Sequence, residues 1–211
     1  MLPIHQVPAK GDSSLIRARE IIWAEARAIA AIQLTSSFNA AIAAMETCRG
    51  KIVASGMAKA GLVARRFVAT LCSTGTPAVY LHPAESAHGD LGVLAPEDRL
   101  IAFSTSGKTA EVLDLVRHAR PLTNEPAIGI TSHPDSKLRD VCGITVDMGK
   151  VTESCTLGLI PTASIAVMSA ISDALALVLM ERKKITLEDY RVWHPGGDLG
   201  GRASQNDGSA R

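Results

Sequence analysis

Side chains able to bind a ligand or transfer a proton follow four short apolar runs of the sequence. Ser55 and Lys59 come after the first run, and His82 and His88 come after the second. The segment STSGKT, residues 104–109, follows the third run, and two hydroxyl residues and a histidine follow the fourth. If these runs are parallel strands, their carboxyl ends meet at one edge, which is where α/β sheets bind ligands. We therefore expect a site at that edge.

The segment at residues 104–109 indicates an anion-binding loop. Ser104, Ser106 and Thr109 place hydroxyls between a buried strand and a helix that begins near Thr109. Hydroxyls and free N–H groups at a helix N-terminus bind oxyanions without a metal. The spacing matches neither G-x-x-x-x-G-K nor G-x-G-x-x-G, so we expect the phosphate of a small molecule rather than a nucleoside triphosphate. An ordinary serine-rich N-cap loop is the alternative.

Three charged side chains are candidates for acid–base chemistry. Lys59 opens the helix after the first strand, and Glu111 lies in the first turn after the anion-binding loop. Glu153 lies in the loop KVTESCTLGLIPT among small and apolar residues, where a partly desolvated carboxylate would suit a general base. Each also has an ordinary interpretation when it is considered alone. Lys59 would be a solvated surface lysine, Glu111 a first-turn carboxylate favoured by the helix dipole, and Glu153 a surface glutamate.

Histidines stand at three further positions of interest. His194 lies in the rigid turn W-H-P-G-G, and His88 lies in E-S-A-H-G-D-L-G between a glycine turn and acidic neighbours. Because His82, His88 and His194 lack an i, i+4 spacing, the residues themselves do not imply a dedicated zinc site.

The elements that must position these groups follow an alternating pattern. Apolar residues at helical spacing predict a helix from Ser13 or Ser14 to about residue 34 and a second one closed by Arg49-Gly50. Strands at residues 51–55, 78–81, 100–103, 127–130 and 143–146 alternate with helices at 58–73, 109–120 and 134–140. A long apolar helix at 161–182 and a short one at 186–192 complete the pattern. Strands apolar on both faces and separated by helices predict a doubly wound α/β/α sandwich with a five-stranded parallel sheet.

Composition excludes several classes of protein. The 211 residues are 46% hydrophobic and 20% charged, and 22 basic residues against 21 acidic ones give a formal net charge of +1. This balance provides no strong field for gripping nucleic acid or an anionic membrane. The four cysteines lie far apart without a C-x-x-C pair, so a zinc ribbon and a disulfide framework are not expected.

The two ends of the chain predict a simple organisation. Residues 1–12 are expected to be a flexible leader, residues 13–201 the one domain, and residues 202–211 a polar tail. The N-terminus lacks the basic and apolar regions of a signal peptide, and the most apolar stretch, residues 165–180, is too short and polar to span a bilayer. We therefore expect a soluble cytoplasmic protein.

Together these segments resemble the SIS (sugar isomerase) domain, and within it the D-arabinose 5-phosphate isomerases. The S-x-S-G-x-T-x-E loop is generic to SIS domains, whereas the segments STGTP, LHPAESAHGDLG and HPGG are specific to that branch. The resemblance extends from about residue 14 to Arg202. It implies interconversion of D-ribulose 5-phosphate and D-arabinose 5-phosphate through an enediol, which feeds 3-deoxy-D-manno-octulosonate synthesis for lipopolysaccharide or capsule.

The resemblance also assigns roles to particular residues. Those on the family's catalytic positions are Lys59, Glu111, Glu153 and His194. Those on substrate-binding positions are Gly75, Thr76, His82, His88, Ser104, Ser106 and Thr109. Ser55 is added as a substrate-binding candidate because of its place at the end of the first strand. The His82 position is linked in the family to inhibitory zinc only, and turnover requires no metal or other cofactor. Glu153 is the expected base, with His88 and His194 as alternatives for that task or for ring opening.

The family resemblance further implies a homotetramer with sites shared between subunits. Longer members carry a pair of CBS modules after the isomerase domain, so regulation through such modules is not expected in this chain. Two other functions stay open: an isomerase of a heptulose or hexulose phosphate, and a non-catalytic phosphosugar sensor. A sensor would normally carry a helix-turn-helix domain, for which the sequence has neither basic excess nor room.

Overall fold

A parallel five-stranded sheet forms the centre of the protein, as a computed structural model of residues 13–196 describes it. The strands are β1 Ile52–Gly56, β2 Ala78–Tyr80, β3 Arg99–Phe103, β4 Ile128–Thr131 and β5 Ile144–Asp147. Their order in the sheet is β2-β1-β3-β4-β5, and every neighbouring pair is parallel. The chain moves from β1 to β2 on one side and then places β3 on the other side of β1. The sheet therefore has a topological switch point between β1 and β3, which is where such sheets bind ligands.

Helices cover both faces of the sheet, which confirms the α/β sandwich expected from the sequence. A four-residue helix, α4 (Pro83–Ser86), and a 3₁₀ turn at Asp90–Val93 lie where the sequence predicts no helix, since neither is long enough to establish a period. The helices are α1 Ser13–Ala30, α2 Ser36–Glu46, α3 Ala58–Ser73, α4 Pro83–Ser86, α5 Ala110–Ala119, α6 Lys137–Val141, α7 Ala163–Arg182 and α8 Leu187–Trp193.

Alternate residues of the strands divide the core into two layers. Ile101 and Phe103 of β3 face α2, α3 and α7, where Phe103 meets Phe67 edge to face at 5.6 Å between ring centroids. Leu100 and Ala102 face the other layer, which α5 and α6 cover. All five residues of β1 and of β3 are buried, because helices exclude water from both faces. The strand ends are thereby rigidly placed.

Helix α7 is the long apolar helix predicted from the sequence. It extends at both ends beyond residues 165–180, the stretch that the sequence predicts to be too short to span a bilayer. At 20 residues it is the one helix, within residues 13–196, with the length and composition to cross a membrane. Half of its apolar window is nevertheless buried inside the protein, where Val167, Ile171 and Leu175 join the core. Helix α7 serves as a core helix of this fold.

The proposed leader at 1–12 and tail at 202–211 lie outside the described residues. Helix α1 belongs to the described residues and has no buried residue. Its Leu15 and Ile22 side chains are 68% and 66% exposed. An amphipathic helix normally buries its apolar side chains. Those of α1 instead form an exposed apolar surface.

Candidate functional site

The carboxyl ends of β1 and β3 lie side by side, with Gly56 in register with Phe103. Helix α3, which begins with Ala58, follows β1, and the anion-binding loop and α5 follow β3. Lys59 and Glu111 therefore stand in the first turns of two helices that start at the same sheet edge. Both side chains are exposed, and neither forms an ion pair within the described part of the chain. Their charges remain free to act on a ligand.

The anion-binding loop is folded tightly before any ligand enters. The Ser104 hydroxyl accepts the Gly107 amide at 3.1 Å and lies 3.2 Å from the Thr109 hydroxyl, and Ser106 Oγ accepts the Lys108 amide at 3.2 Å. Gly107 has φ +60°, and a Cβ there would lie 1.8 Å from Ser136 Oγ, so only glycine fits. These contacts fix the loop as a small concave turn.

The loop leads directly into a helix whose first amides lack a side-chain cap. Thr109 is the N-cap of α5, and its side chain makes no capping hydrogen bond. In residues 13–196 the Ser106 hydroxyl has no acceptor for its own hydrogen, which leaves that hydrogen for a ligand. Free helix amides and a donating hydroxyl bind an oxyanion well. The arrangement is therefore suited to a phosphate.

Two more groups predicted from the strand ends lie at this edge. Ser55 is fully buried at the end of β1, and its hydroxyl finds no hydrogen-bond partner in the described residues. His82 follows β2 and is half-buried, and its Nδ1 likewise lacks a partner in residues 13–196. His88, six residues later, is exposed. No three potential metal ligands gather anywhere in the described chain, so a zinc ion at His82 would need ligands from elsewhere.

Glu153 caps the N-terminus of α7. Its Oε2 accepts the amides of Thr162 and Ala163 at 2.8 and 2.9 Å, and its Oε1 accepts the Ser164 amide at 3.3 Å. The carboxylate is half-buried. The small and apolar residues of its loop suggest a desolvated group, but three backbone N–H groups hydrogen-bond it. Helices α3 and α7 pack together, and Lys183, just after the end of α7, donates to Thr76, just after the end of α3. Both helices therefore end at the far edge of the sheet and begin at the carboxyl edge. Glu153 thus belongs to the same edge as Lys59.

One thiol, that of Cys155, lies in the same loop as Glu153, two residues further along the chain. The Ile160 amide donates to Cys155 Sγ at 3.2 Å and, with neighbouring amides of the loop, lowers the pKa of the Cys155 thiol. Burial has the opposite effect elsewhere: it raises the pKa of Cys142 to about 12. All four cysteines are free thiols, in keeping with the absence of a disulfide framework.

Three predicted site residues lie at the opposite edge of the sheet. The His194 ring stacks on Tyr190 at 3.8 Å, its Nδ1–H donates to the Tyr190 carbonyl at 2.8 Å, and Ser73 hydrogen-bonds Nε2 at 2.9 Å. Ser73 ends α3, whereas Lys59 lies in its first turn, which separates them by about 21 Å along the helix axis. One protomer therefore does not bring His194 to Lys59.

Gly75 and Thr76 follow α3 and lie beside His194. The Trp193 ring occupies the space where a Gly75 side chain would begin, with 2.2 Å between that Cβ position and the ring. Thr76 is buried, and its hydroxyl accepts from Lys183 Nζ at 2.9 Å. Burial lowers the pKa of Lys183, a residue that nothing in the sequence pattern singles out. Gly75, Thr76 and His194 thus form a second cluster, apart from the carboxyl edge.

The fold and the anion-binding loop define an α/β domain with a phosphate-suited loop at the switch point of its sheet, and residues 44–178 match the SIS domain family. The chain belongs to that family.

Several relatives within the family have established names. The chain is 38% identical over 184 residues to arabinose 5-phosphate isomerase KdsD of Shigella flexneri, covering 86% of this chain and 56% of the relative. It is 42% identical over 155 residues to arabinose 5-phosphate isomerase KpsF of Escherichia coli, covering 74% and 49%. This chain thus spans about half the length of these curated relatives. A solved structure from E. coli CFT073, in complex with arabinose 5-phosphate, matches with a TM-score of 0.83 and 34% identity, covering 88% of this chain and 100% of that one.

Proposed function

We propose that this chain is an aldose–ketose isomerase that interconverts D-ribulose 5-phosphate and D-arabinose 5-phosphate. The observation that carries the proposal is the sheet edge at the switch point, where a phosphate-suited loop lies beside an unpaired lysine and an unpaired glutamate. The names of the relatives KdsD and KpsF supply the five-carbon sugar. The product would feed 3-deoxy-D-manno-octulosonate synthesis, for lipopolysaccharide or for capsule.

The reaction moves a hydrogen between C1 and C2 of the open-chain sugar. A base removes the C2 proton of the aldose, and the electron pair forms a cis-enediol as the carbonyl oxygen on C1 takes a proton. The C2 hydroxyl then loses its proton to become the ketose carbonyl while a proton returns to C1. Glu153 is the proposed base. Its Oε1 accepts one long hydrogen bond at 3.3 Å, whereas Oε2 accepts two shorter ones, so Oε1 is the oxygen more open to a substrate proton.

The other groups of the edge bind and stabilise. Ser104, Ser106 and Thr109 hold the phosphate, whose binding energy is gained away from the reacting carbons. Lys59 stabilises the negative charge that develops on the enediol oxygens. Glu111 orients Lys59 or the sugar hydroxyls, and Ser55, His82 and His88 supply further substrate contacts at this edge. Gly75 and Thr76, in the second cluster, supply the remaining ones. No cofactor takes part, and zinc at His82 would only inhibit.

The complete site is proposed to form between copies of the chain in a homotetramer. His194 or His88 would open the furanose ring, and His194 lies with Gly75 and Thr76 at the edge remote from Lys59. A second copy can bring that cluster to the first copy's carboxyl edge. The exposed apolar side chains of α1, Leu15 and Ile22 among them, would be covered in such an assembly. The protein is proposed to act in the cytoplasm, with residues 13–201 as its one domain.

Proton NMR of the purified protein with D-ribulose 5-phosphate tests this function. We expect arabinose 5-phosphate signals with or without EDTA, and in heavy water we expect deuterium to enter at C2, as an enediol route requires. Absence of conversion by a folded sample contradicts the five-carbon assignment. Conversion of a heptulose or hexulose phosphate instead would identify another isomerase of the family, and binding of phosphosugars without any conversion would identify a sensor.

A further inference from the structure

The turn that carries Lys59 contains a strained residue. Ala58, between the end of β1 and Lys59, has φ +50°, in the left-handed region. Within residues 13–196 only Lys184 shares this property among non-glycine residues. A side chain disfavours this conformation, so it persists only where surrounding contacts hold it.

Those contacts converge on the carbonyl of Gly56, two residues before Ala58. The Tyr80 hydroxyl, on the neighbouring strand β2, donates to this carbonyl at 2.7 Å. Gly61 packs against it from the helix side, since a Cβ there would lie 2.4 Å from the Gly56 oxygen. The Gly61 amide in turn donates to the Met57 carbonyl at 3.1 Å. The strand end is therefore clamped on both sides of the turn.

Tyr80 is itself held in place as a donor. The Arg65 guanidinium of α3 lies 3.8 Å from the centroid of the Tyr80 ring, and the His82 ring meets it edge-on at 6.2 Å. Burial raises the pKa of the Tyr80 hydroxyl, which the nearby Arg65 only partly offsets, so the hydroxyl keeps its proton. A protonated phenol facing a carbonyl oxygen can only donate.

We propose that Tyr80 is a positioning residue for the isomerase: its hydroxyl holds the Gly56 carbonyl and thereby keeps Ala58 left-handed and Lys59 aimed at the substrate. The inference rests on the proposed function in one respect, namely that Lys59 contacts the reacting sugar. Tyr80 itself acts through the backbone and does not touch the substrate.

A double-mutant cycle tests the proposal through kinetics. Y80F removes the hydroxyl and keeps the ring, and we expect kcat to fall about tenfold or more while KM changes little, because the anion-binding loop is untouched. Glycine adopts positive φ without a Cβ penalty, so the turn at residues 56–59, called the elbow below, should no longer need the hydroxyl in an A58G background. Y80F/A58G should therefore differ from A58G by less than about twofold in kcat.

A matched control separates positioning from general loss of α3 contacts. R66A changes the residue next to Arg65 on α3 and removes the ion pair of 2.8 Å between Arg66 and Asp173. This ion pair involves no residue of the elbow, so kcat should stay unchanged. An unchanged kcat in Y80F, or a loss of equal size in the A58G background, overturns the proposal.

Amide hydrogen exchange gives a readout that does not depend on turnover. Exchange of the Gly61 amide should become about tenfold faster in Y80F and return towards the A58G rate in the double variant. If the wild-type protein converts no sugar, the proposed function fails while this measurement still decides whether Tyr80 holds the elbow. Identical exchange in wild type and Y80F refutes the clamp.

Discussion

The Glu153 carboxylate accepts three amides from the first turn of α7, which makes one side chain both a helix cap and the proposed base. The two tasks are compatible because a carboxylate has two oxygens with several acceptor positions. A capping carboxylate is also rigidly placed, as a base must be to reach a substrate proton. The cap therefore supports the chemistry proposed for this residue.

Glu153→Gln separates the two tasks. The glutamine oxygen can still accept the Thr162 and Ala163 amides, so we expect a folded protein with a melting temperature near that of wild type. Because an amide cannot take the proton, turnover should fall on the order of a hundredfold or more. Steady-state kinetics alongside thermal unfolding measure both effects. Glu46→Gln, at an exposed position paired with Arg182, is the control, and near-normal activity of the Glu153 variant would remove this residue from the mechanism.

At the scale of elements, one buried carboxylate joins the starts of β1 and β3, the two strands at the switch point. Asp98 immediately precedes β3 and is 2% exposed. It forms an ion pair with Lys51, accepts the Lys51 amide at 2.9 Å, and accepts the Ala95 amide at 2.8 Å. Since β1 and β3 carry the switch point, this contact fixes the strands whose other ends build the site.

The Asp98 contact predicts how stability depends on pH. Burial alone would raise the pKa of Asp98, but the hydrogen bonds from Lys51 and Ala95 outweigh it and hold this pKa below its ordinary value of 3.8. The carboxylate thus stabilises the fold at neutral pH, and this contribution is lost as the pH falls below 3.8 through the folded-state pKa. Asp98→Asn should lower the free energy of unfolding by about 1–3 kcal/mol at pH 7 and by less at pH 3.

Urea unfolding at the two pH values measures this effect. Asp114→Asn provides the same chemical change at an exposed ion pair with Arg117 and should change stability by less than about 0.5 kcal/mol. An Asp98 variant with the same loss at both pH values would contradict the linkage.

At the scale of the whole molecule, the separation of Lys59 from His194 makes oligomerisation part of the proposed catalysis. Helix α3 carries Lys59 in its first turn and ends at Ser73, which hydrogen-bonds His194. Lys59 and Ser73 are about 21 Å apart along the helix axis, at opposite edges of the sheet. A helix of the core cannot shorten, so His194 lies at the far edge for as long as it contacts Ser73. A site formed between two copies, as proposed above, is the arrangement that uses both Lys59 and His194.

Complementation between inactive variants tests the composite site. Lys59→Ala and His194→Ala should each be inactive, but oligomers formed by co-expressing them should recover about a quarter of wild-type activity, since random mixing gives some sites one intact half from each copy. Lys59→Ala with Glu111→Gln is the matched control. Both of these residues stand at one copy's edge, so their mixture should stay inactive. Failure of the first pair to recover would contradict sharing of the site between copies.

Local pattern accounts for what could be predicted of the fold and the site. The five strands, the long helices and the loop at residues 104–109 follow from periodicity and turn chemistry, which act over a few residues. The parallel sheet then places Ser55, Lys59, His82 and Glu111 at one edge by topology alone. Helix α4 escapes prediction because four residues establish no period.

The sequence by itself determined the sandwich, its ligand-binding edge and the residue types available there, because these depend on spacing within single elements. The tertiary structure alone decided that Glu153 caps α7, that Tyr80 clamps the Gly56 carbonyl and that His194 lies at the far edge. Each of these depends on a contact between separate elements, as the pairing of His194 with Ser73 across 121 residues illustrates. Such contacts are set by how whole helices and strands pack, and no local spacing encodes them.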